Sequence, residues 1–212
     1  KIMKTVIQIV LTIAILALGY FCVESINKPI RFQEQQAKRQ KAVVEKLEQI
    51  RDVQVAYKSV FNKYTGNFDT LINFIKNDSL PLVKKEGSLT DSMLEAGITE
   101  IKALAMGIIS RDTIRISVKD SLFKAKYPVD SLPFIPFVEG DEKFQMAAGI
   151  VTTGSGVKVQ VFEAKVHNNI YLKGLEKQEI INLSDKTQKL ERYPGLKVGS
   201  LEEANNNAGN WE

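Results

Sequence analysis

The sequence predicts an α+β protein: an N-terminal transmembrane helix and a long helical stem, followed by a small, mostly antiparallel β-sheet head. Three observations carry that reading. Residues 5–23 contain no charged side chain. Val43, Leu47, Ile50, Gln54, Tyr57, Phe61 and Tyr64 recur in steps of three and four, the spacing of one helical face. Two alternating apolar stretches then flank Thr152-Thr-Gly-Ser-Gly156, a hairpin signal because glycine supplies the turn's unusual dihedrals. These features divide the chain into a tail and anchor (1–27), a helical stem with a short return helix (28–77) and an α+β soluble head (78–212).

The nineteen-residue run from Thr5 to Val23 is mostly Ile, Leu, Val and Ala. At ~1.5 Å per residue it covers roughly 28 Å, the thickness of a bilayer's hydrocarbon layer. It exceeds the apolar core of a cleavable signal and ends in Gly-Tyr-Phe-Cys-Val-Glu without a small-x-small site, so a retained single-pass anchor is expected. Gln8 is its strongly polar side chain and a candidate for an intramembrane contact with a neighbouring helix, the alternative being a side chain that reaches the headgroups. Cys22, which lies inside the run, is the only cysteine, so no intrachain disulfide is possible; Tyr20 and Phe21 before it are too bulky for a lipoprotein cleavage site.

Residues 28–63 hold nine Lys or Arg against four acids, a local surplus of five on a chain whose net charge is +4. Such a stretch beside a bilayer reads as a solvated helix face or a rest for anionic headgroups; the weak overall charge gives no reason to expect nucleic acid as a partner. Five of those cations follow the span closely, which favours a cytoplasmic head by charge. Long domains nevertheless translocate largely regardless of flanking charge, and the expected location is a membrane protein with an extracytoplasmic (periplasmic or extracellular) head.

Pro29 predicts a kink or interruption after the span. The stem helix then runs to Tyr64, and Gly66 suits its left-handed cap. Its seam, with Gln54 the lone polar member, is the candidate assembly face, although its own sheet is the commoner partner for such an aromatic-rich stripe. Asn67 or Asp69 can cap a short helix over Phe68 to Lys76, with Leu71, Ile72 and Ile75 as its buried face. A polar connector is expected around 77–88, broken by Pro81 and Gly87, followed by short helices near Met93 and from Thr99 to Met106.

Asp112 to Lys119 alternates as a half-buried strand does, and residues 120–143 read as an ordered crossing loop. Strands are expected over Phe144 to Val151 and Val157 to Lys165. Leu172 to Leu183 fits strand or helix, and Leu196 to Leu201 can add a short strand.

The chemistry-bearing residues do not converge on a catalytic pattern. Gly154-Ser-Gly-Val-Lys158 lacks the spacing of a phosphate loop, and Ser155 lacks the frame of a nucleophile elbow. His167 is the sole histidine and sits beside Asn168-Asn169 like a surface-turn residue. No catalytic, cofactor-binding or metal residues are assigned and no enzyme activity or cofactor is expected; whether Glu202, Glu203 and Asn205 to Asn207 hold calcium is left open.

The layout resembles the type IV pilin and pseudopilin superfamily. The resemblance rests on the membrane helix, the stem ending in Tyr57-Lys-Ser-Val-Phe-Asn-Lys-Tyr64-Thr-Gly66-Asn-Phe68, and a small β-region finishing in Gly209-Asn-Trp211. It implies a stem helix packed on an antiparallel sheet and membrane helices that bundle into a filament core. The span opens Lys1-Ile-Met-Lys-Thr-Val-Ile-Gln8, without the family's processing signature, so no functional residues are carried over. The expected function is a membrane-anchored structural or assembly subunit of a cell-envelope complex, oligomeric through residues 5–64. The alternative is a surface-displayed ligand-binding or sensor module with Tyr127, Phe134, Phe137 and Trp211 around one cleft.

Overall fold

The computed structural model describes residues 2–95, 97–123 and 126–212, without the side chains at 2, 5, 6, 8, 83–86, 94, 111 and 112. It is an α+β protein in which one long helix, α1 (Ile2–Phe61), precedes small antiparallel sheets. The interruption expected as one outcome at Pro29 does not occur: α1 passes through it. Proline there removes a single N–H, the one that would reach the carbonyl of Ser25, and Ser25 is exposed, so water can replace the missing donor.

One change of character divides α1. Up to Arg31 its described side chains are exposed or half-buried, with Leu11 at 61%, Leu16 at 69% and Phe21 at 66%. From Phe32 onward a stripe is buried, through Val43, Leu47 and Ile50 to Val53, Gln54 and Tyr57. The helix ends earlier than Tyr64: Asn62 takes the left-handed conformation (φ 56°) and its N–H reaches the carbonyl of Lys58, so asparagine, not Gly66, supplies the cap.

The chain forms two compact units, Lys1–Ile50 with Pro133–Glu212, and Arg51–Leu132. In the second unit the end of α1 is followed by α2 (Phe68–Asn77), whose cap is Asn67: its side chain accepts from the Asp69 N–H. Leu71, Phe74 and Ile75 are buried, and Phe74 meets Tyr57 and Phe61 edge-on at 5.2 and 5.9 Å, an aromatic cluster that joins the two helices.

The polar connector expected after α2 is instead strand β1 (Ser79–Glu86), paired antiparallel with β2 (Ser110–Ser117) in the register Ser79↔Ser117 to Glu86↔Ser110. Pro81 is tolerated because both strands of a two-stranded ribbon are edges, where a missing donor faces away from the ladder. Short helices α3 (Asp91–Glu95) and α4 (Glu100–Ala105) lie between these strands. After β2, α5 (Val118–Leu122) and a 3-10 turn at Val129–Ser131 pack near α2, and Lys76 pairs with Asp130 at 2.7 Å.

In the first unit, β3 (Gln145–Thr152), β4 (Lys158–His167) and β5 (Gly195–Gly199) form one antiparallel sheet with β4 in the centre. The hairpin closes where glycine was expected to close it, with Gly156 at φ +81°. Val161, Phe162, Ala164 and Val166 of β4, with Leu196 and Val198 of β5, are buried. The ambiguous stretch after β4 is helical: α6 (Asn168–Tyr171) and α7 (Lys177–Gln188) are joined through buried Asn168, whose Nδ2 donates to Ser184 Oγ at 3.2 Å. The final segment returns along β5, where the Asn210 N–H donates to the Lys197 carbonyl at 3.0 Å and Gly209 bridges Val198.

Candidate membrane and assembly interface

One helix among the described residues is long and apolar enough to cross a membrane, and the chain covers none of its most apolar stretch. Gln8, the candidate intramembrane contact, has a backbone within α1 but its side chain lies outside the described residues.

The candidate assembly face is placed differently from its expected role. Val43, Leu47, Ile50 and Gln54 are fully buried, and Tyr57 and Tyr64 nearly so at 7% and 8%. Phe61 alone is largely exposed, at 43%. Apart from Phe61, the stripe is already withdrawn from water inside one chain and is core; periodicity reports which side of a helix is apolar and says nothing about whose surface covers it.

The stripe reaches closer to the apolar run than its sequence register suggested. Upstream of Val43 the buried residue is Phe32, one position off the strict seven-residue continuation through Gln40, Gln36 and Gln33; Gln40, Arg39 and Gln36 are half-buried, and Gln35, Lys28 and Phe21 are exposed. A straight helix repeats every 3.6 residues, so its buried side drifts from a seven-residue pattern over several turns.

Arg39 makes the connection. Its Nη1 donates to the carbonyls of Tyr171 at 3.1 Å and Lys173 at 2.8 Å, where α6 ends and its last carbonyls lack helical partners. Lys38 stands 5.8 Å from the Phe137 ring centroid on the same helix segment. Gly174, left-handed at φ +88°, turns the chain after this anchor point into α7.

Two adjoining hollows result, of about 300 and 470 Å³, which share Glu24, Lys28 and Glu176. Arg31, Phe32 and Leu175 line the smaller, and Phe21, Pro29 and Glu179 the larger. Glu24, Lys28, Arg31, Glu176 and Glu179 make no ion pair with one another. No family model, curated protein or solved structure matches this chain.

The polar residues outside this cleft are engaged structurally. His167 caps α6, its Nδ1 accepting from the Asn169 N–H at 3.1 Å, and its ring meets Tyr193 edge-on. Glu163, only 8% exposed, pairs with Lys165 at 2.7 Å and Lys197 at 3.8 Å; the hydrogen bond to Glu163 holds the Lys165 ammonium above its usual pKa. In the Asn-rich end, Asn205 Oδ1 accepts from the Asn207 N–H and Ser200 Oγ accepts from the N–H groups of Glu202 and Glu203, so loop geometry employs these side chains.

The four aromatics of the sensor reading each have a local neighbour. Tyr127 stacks on Phe123 at 4.3 Å, Phe134 lies under Lys143, Phe137 lies under Lys38, and Trp211 closes over Gly209.

Proposed function

We propose that this protein is a single-pass, membrane-anchored structural subunit of a cell-envelope assembly, pseudopilin-like in layout, with its head on the extracytoplasmic side. The observation that carries the reading is the contrast within α1. Its stretch from Ile9 to Val23 is apolar all round and uncovered, while its second half buries a stripe in the chain's own units. An uncovered helix of that kind needs lipid or other helices around it, since soluble proteins do not leave so large an apolar surface in water.

Val43, Leu47, Ile50, Val53, Gln54 and Tyr57 are buried within the chain, which supports assigning helix contacts between subunits, in this reading, to residues 7–31. In a membrane such contacts come from close packing and polar side chains, because lipid tails compete equally for apolar surface.

The test combines single cysteines along residues 7–31 for in-cell crosslinking on a Cys22→Ser background with outside-only thiol labelling of Ser155→Cys, an exposed hairpin-turn position. Labelling at 155 with crosslinks repeating every three to four residues supports an extracytoplasmic assembly subunit. Protection at 155 reverses the orientation, and labelling without crosslinks or captured partners rejects the assembly role.

A further inference from the structure

Along α1, Phe21, Glu24, Lys28 and Arg31 follow one another by three or four residues and share a face. Beside that face runs the chain from Gly174 to Glu179, tied down by the bonds of Arg39 to the carbonyls of Tyr171 and Lys173. The last uncharged residue of the apolar run is Val23. Each headgroup layer of a bilayer is about 5–7 Å thick, and at ~1.5 Å per residue the helix crosses it within about four or five residues. Glu24 to Lys28 therefore occupies the headgroup layer when residues 5–23 span the hydrocarbon, with the start of α7 beside it; the Arg31 backbone lies about 12 Å past Val23, and its side chain, which in a helix leans toward the N-terminus, reaches back to that layer.

The cleft is built for a ligand with charges of both signs. Lys28 and Arg31 offer donors from the α1 side, and Glu176 and Glu179 offer acceptors from the α7 side, with Glu24 between them. Among the described residues none of the five has an ion-pair partner. Phe32, 6% exposed, lines the smaller hollow, and both hollows are open to the surrounding solvent or lipid.

We infer that this cleft binds the head of a zwitterionic phospholipid carrying a primary ammonium, its phosphate against Lys28 and Arg31 and its ammonium against Glu176 and Glu179. A purely anionic head would leave three carboxylates unanswered. A quaternary ammonium has no N–H to donate and is recognised by aromatic cages, which this arrangement of carboxylates is not. The head unit is thereby fixed at a set depth, with its α6–α7 corner resting among the headgroups.

The inference rests on the membrane-anchored reading, and one experiment separates the two. The full chain is assembled into nanodiscs of equal parts phosphatidylethanolamine, phosphatidylcholine and phosphatidylglycerol, and lipids retained on the released protein are counted by native mass spectrometry. A chain that does not enter the discs overturns the anchor and this inference together.

For a chain that enters, the expected result is ethanolamine lipid retained at least about fivefold over choline lipid, the ratio that ~1 kcal/mol gives. Glu176→Gln with Glu179→Gln abolishes that preference, Lys28→Gln with Arg31→Gln abolishes retention of either lipid, and Lys158→Gln in the distant hairpin changes neither. Preferential retention of phosphatidylglycerol, equal retention of all three lipids, or an ethanolamine preference that survives the paired glutamate substitutions overturns the inference while leaving the anchor standing. Matching circular dichroism and melting curves of the variants show that lost retention is not lost fold.

Discussion

Gln54 closes the reversal after α1 by pairing with both backbone groups of Thr65. Its Nε2 donates to the Thr65 carbonyl at 2.5 Å and its Oε1 accepts from the Thr65 N–H at 3.2 Å. The polar interruption of the apolar stripe is thus a fully buried brace across eleven residues of sequence. Gln54→Leu keeps the volume and removes the partner of both Thr65 groups; because Thr65 is half-buried and water can reach it, the expected cost is about 1–2 kcal/mol, near the ordinary net worth of two hydrogen bonds. Urea unfolding of the solubilised chain, followed through Tyr57 and Tyr64 absorbance, measures it; a loss below about 0.5 kcal/mol would refute the brace.

Arg39→Met retains the aliphatic stem and removes the two bonds to the carbonyls of Tyr171 and Lys173. Bonds to a charged donor contribute ~1.5–3 kcal/mol, so a loss of about 2 kcal/mol is expected. Hydrogen exchange should show the amides of 172–180 exchanging at least about tenfold faster, while those of β4 hold their protection. Unchanged exchange over 172–180 means that Arg39 does not secure this corner.

Gly199 ends β5 at φ +72°, and a Cβ there would collide with the carbonyl oxygen of Phe162 on the central strand. Because that obstacle is backbone, relief requires the strands to separate. Gly199→Ala is expected to cost at least about 2 kcal/mol, combining left-handed strain with the collision. Thermal melting reads this directly, with Gly154→Ala, which meets nothing within 4 Å, as the neutral comparison.

Burial pushes the Tyr171 phenol up to about 12, and its ring is 2% exposed. The unfolded chain releases this proton near pH 10, before the folded chain does, so stability falls as pH rises from about 10 to 12, by roughly 2–3 kcal/mol. Lys165, raised by its hydrogen bond to Glu163, acts in the same direction: its contribution is complete below its unfolded pKa and is lost as pH rises through the folded value. Denaturation midpoints taken from pH 8 to 12 should decline, and Tyr171→Phe should flatten the decline; an identical slope in the variant excludes Tyr171 as its source.

Elements that depend on local rules were legible in the sequence. The apolar run, the Asn67 cap, the glycine-closed hairpin and the alternating strands all stand within a residue or two of their expected places. β1 was not legible because Pro81 is decisive against a strand only when the strand is central, and edge position is a property of the finished sheet. The candidate site was legible only in part. Lys28 and Arg31 belonged to a visible basic stretch, but Glu176 and Glu179 join them through a fold-dependent approach 145 residues or more away in sequence. Phe32 was the available signal: an aromatic residue isolated among the polar residues of 31–41 implied something to cover it.

Pro29 gives α1 a mechanical property that the hydrogen-bond count alone does not express. A helix loaded along its axis yields first at its missing rung, and Pro29 removes the rung to Ser25, just beyond the apolar run. Under axial tension the turn 25–29 is expected to extend before the buried stretch from Val43 to Ile50 is disturbed. Pulling single molecules between the apolar half and Ser155 should show Pro29→Ala raising the force of first yield.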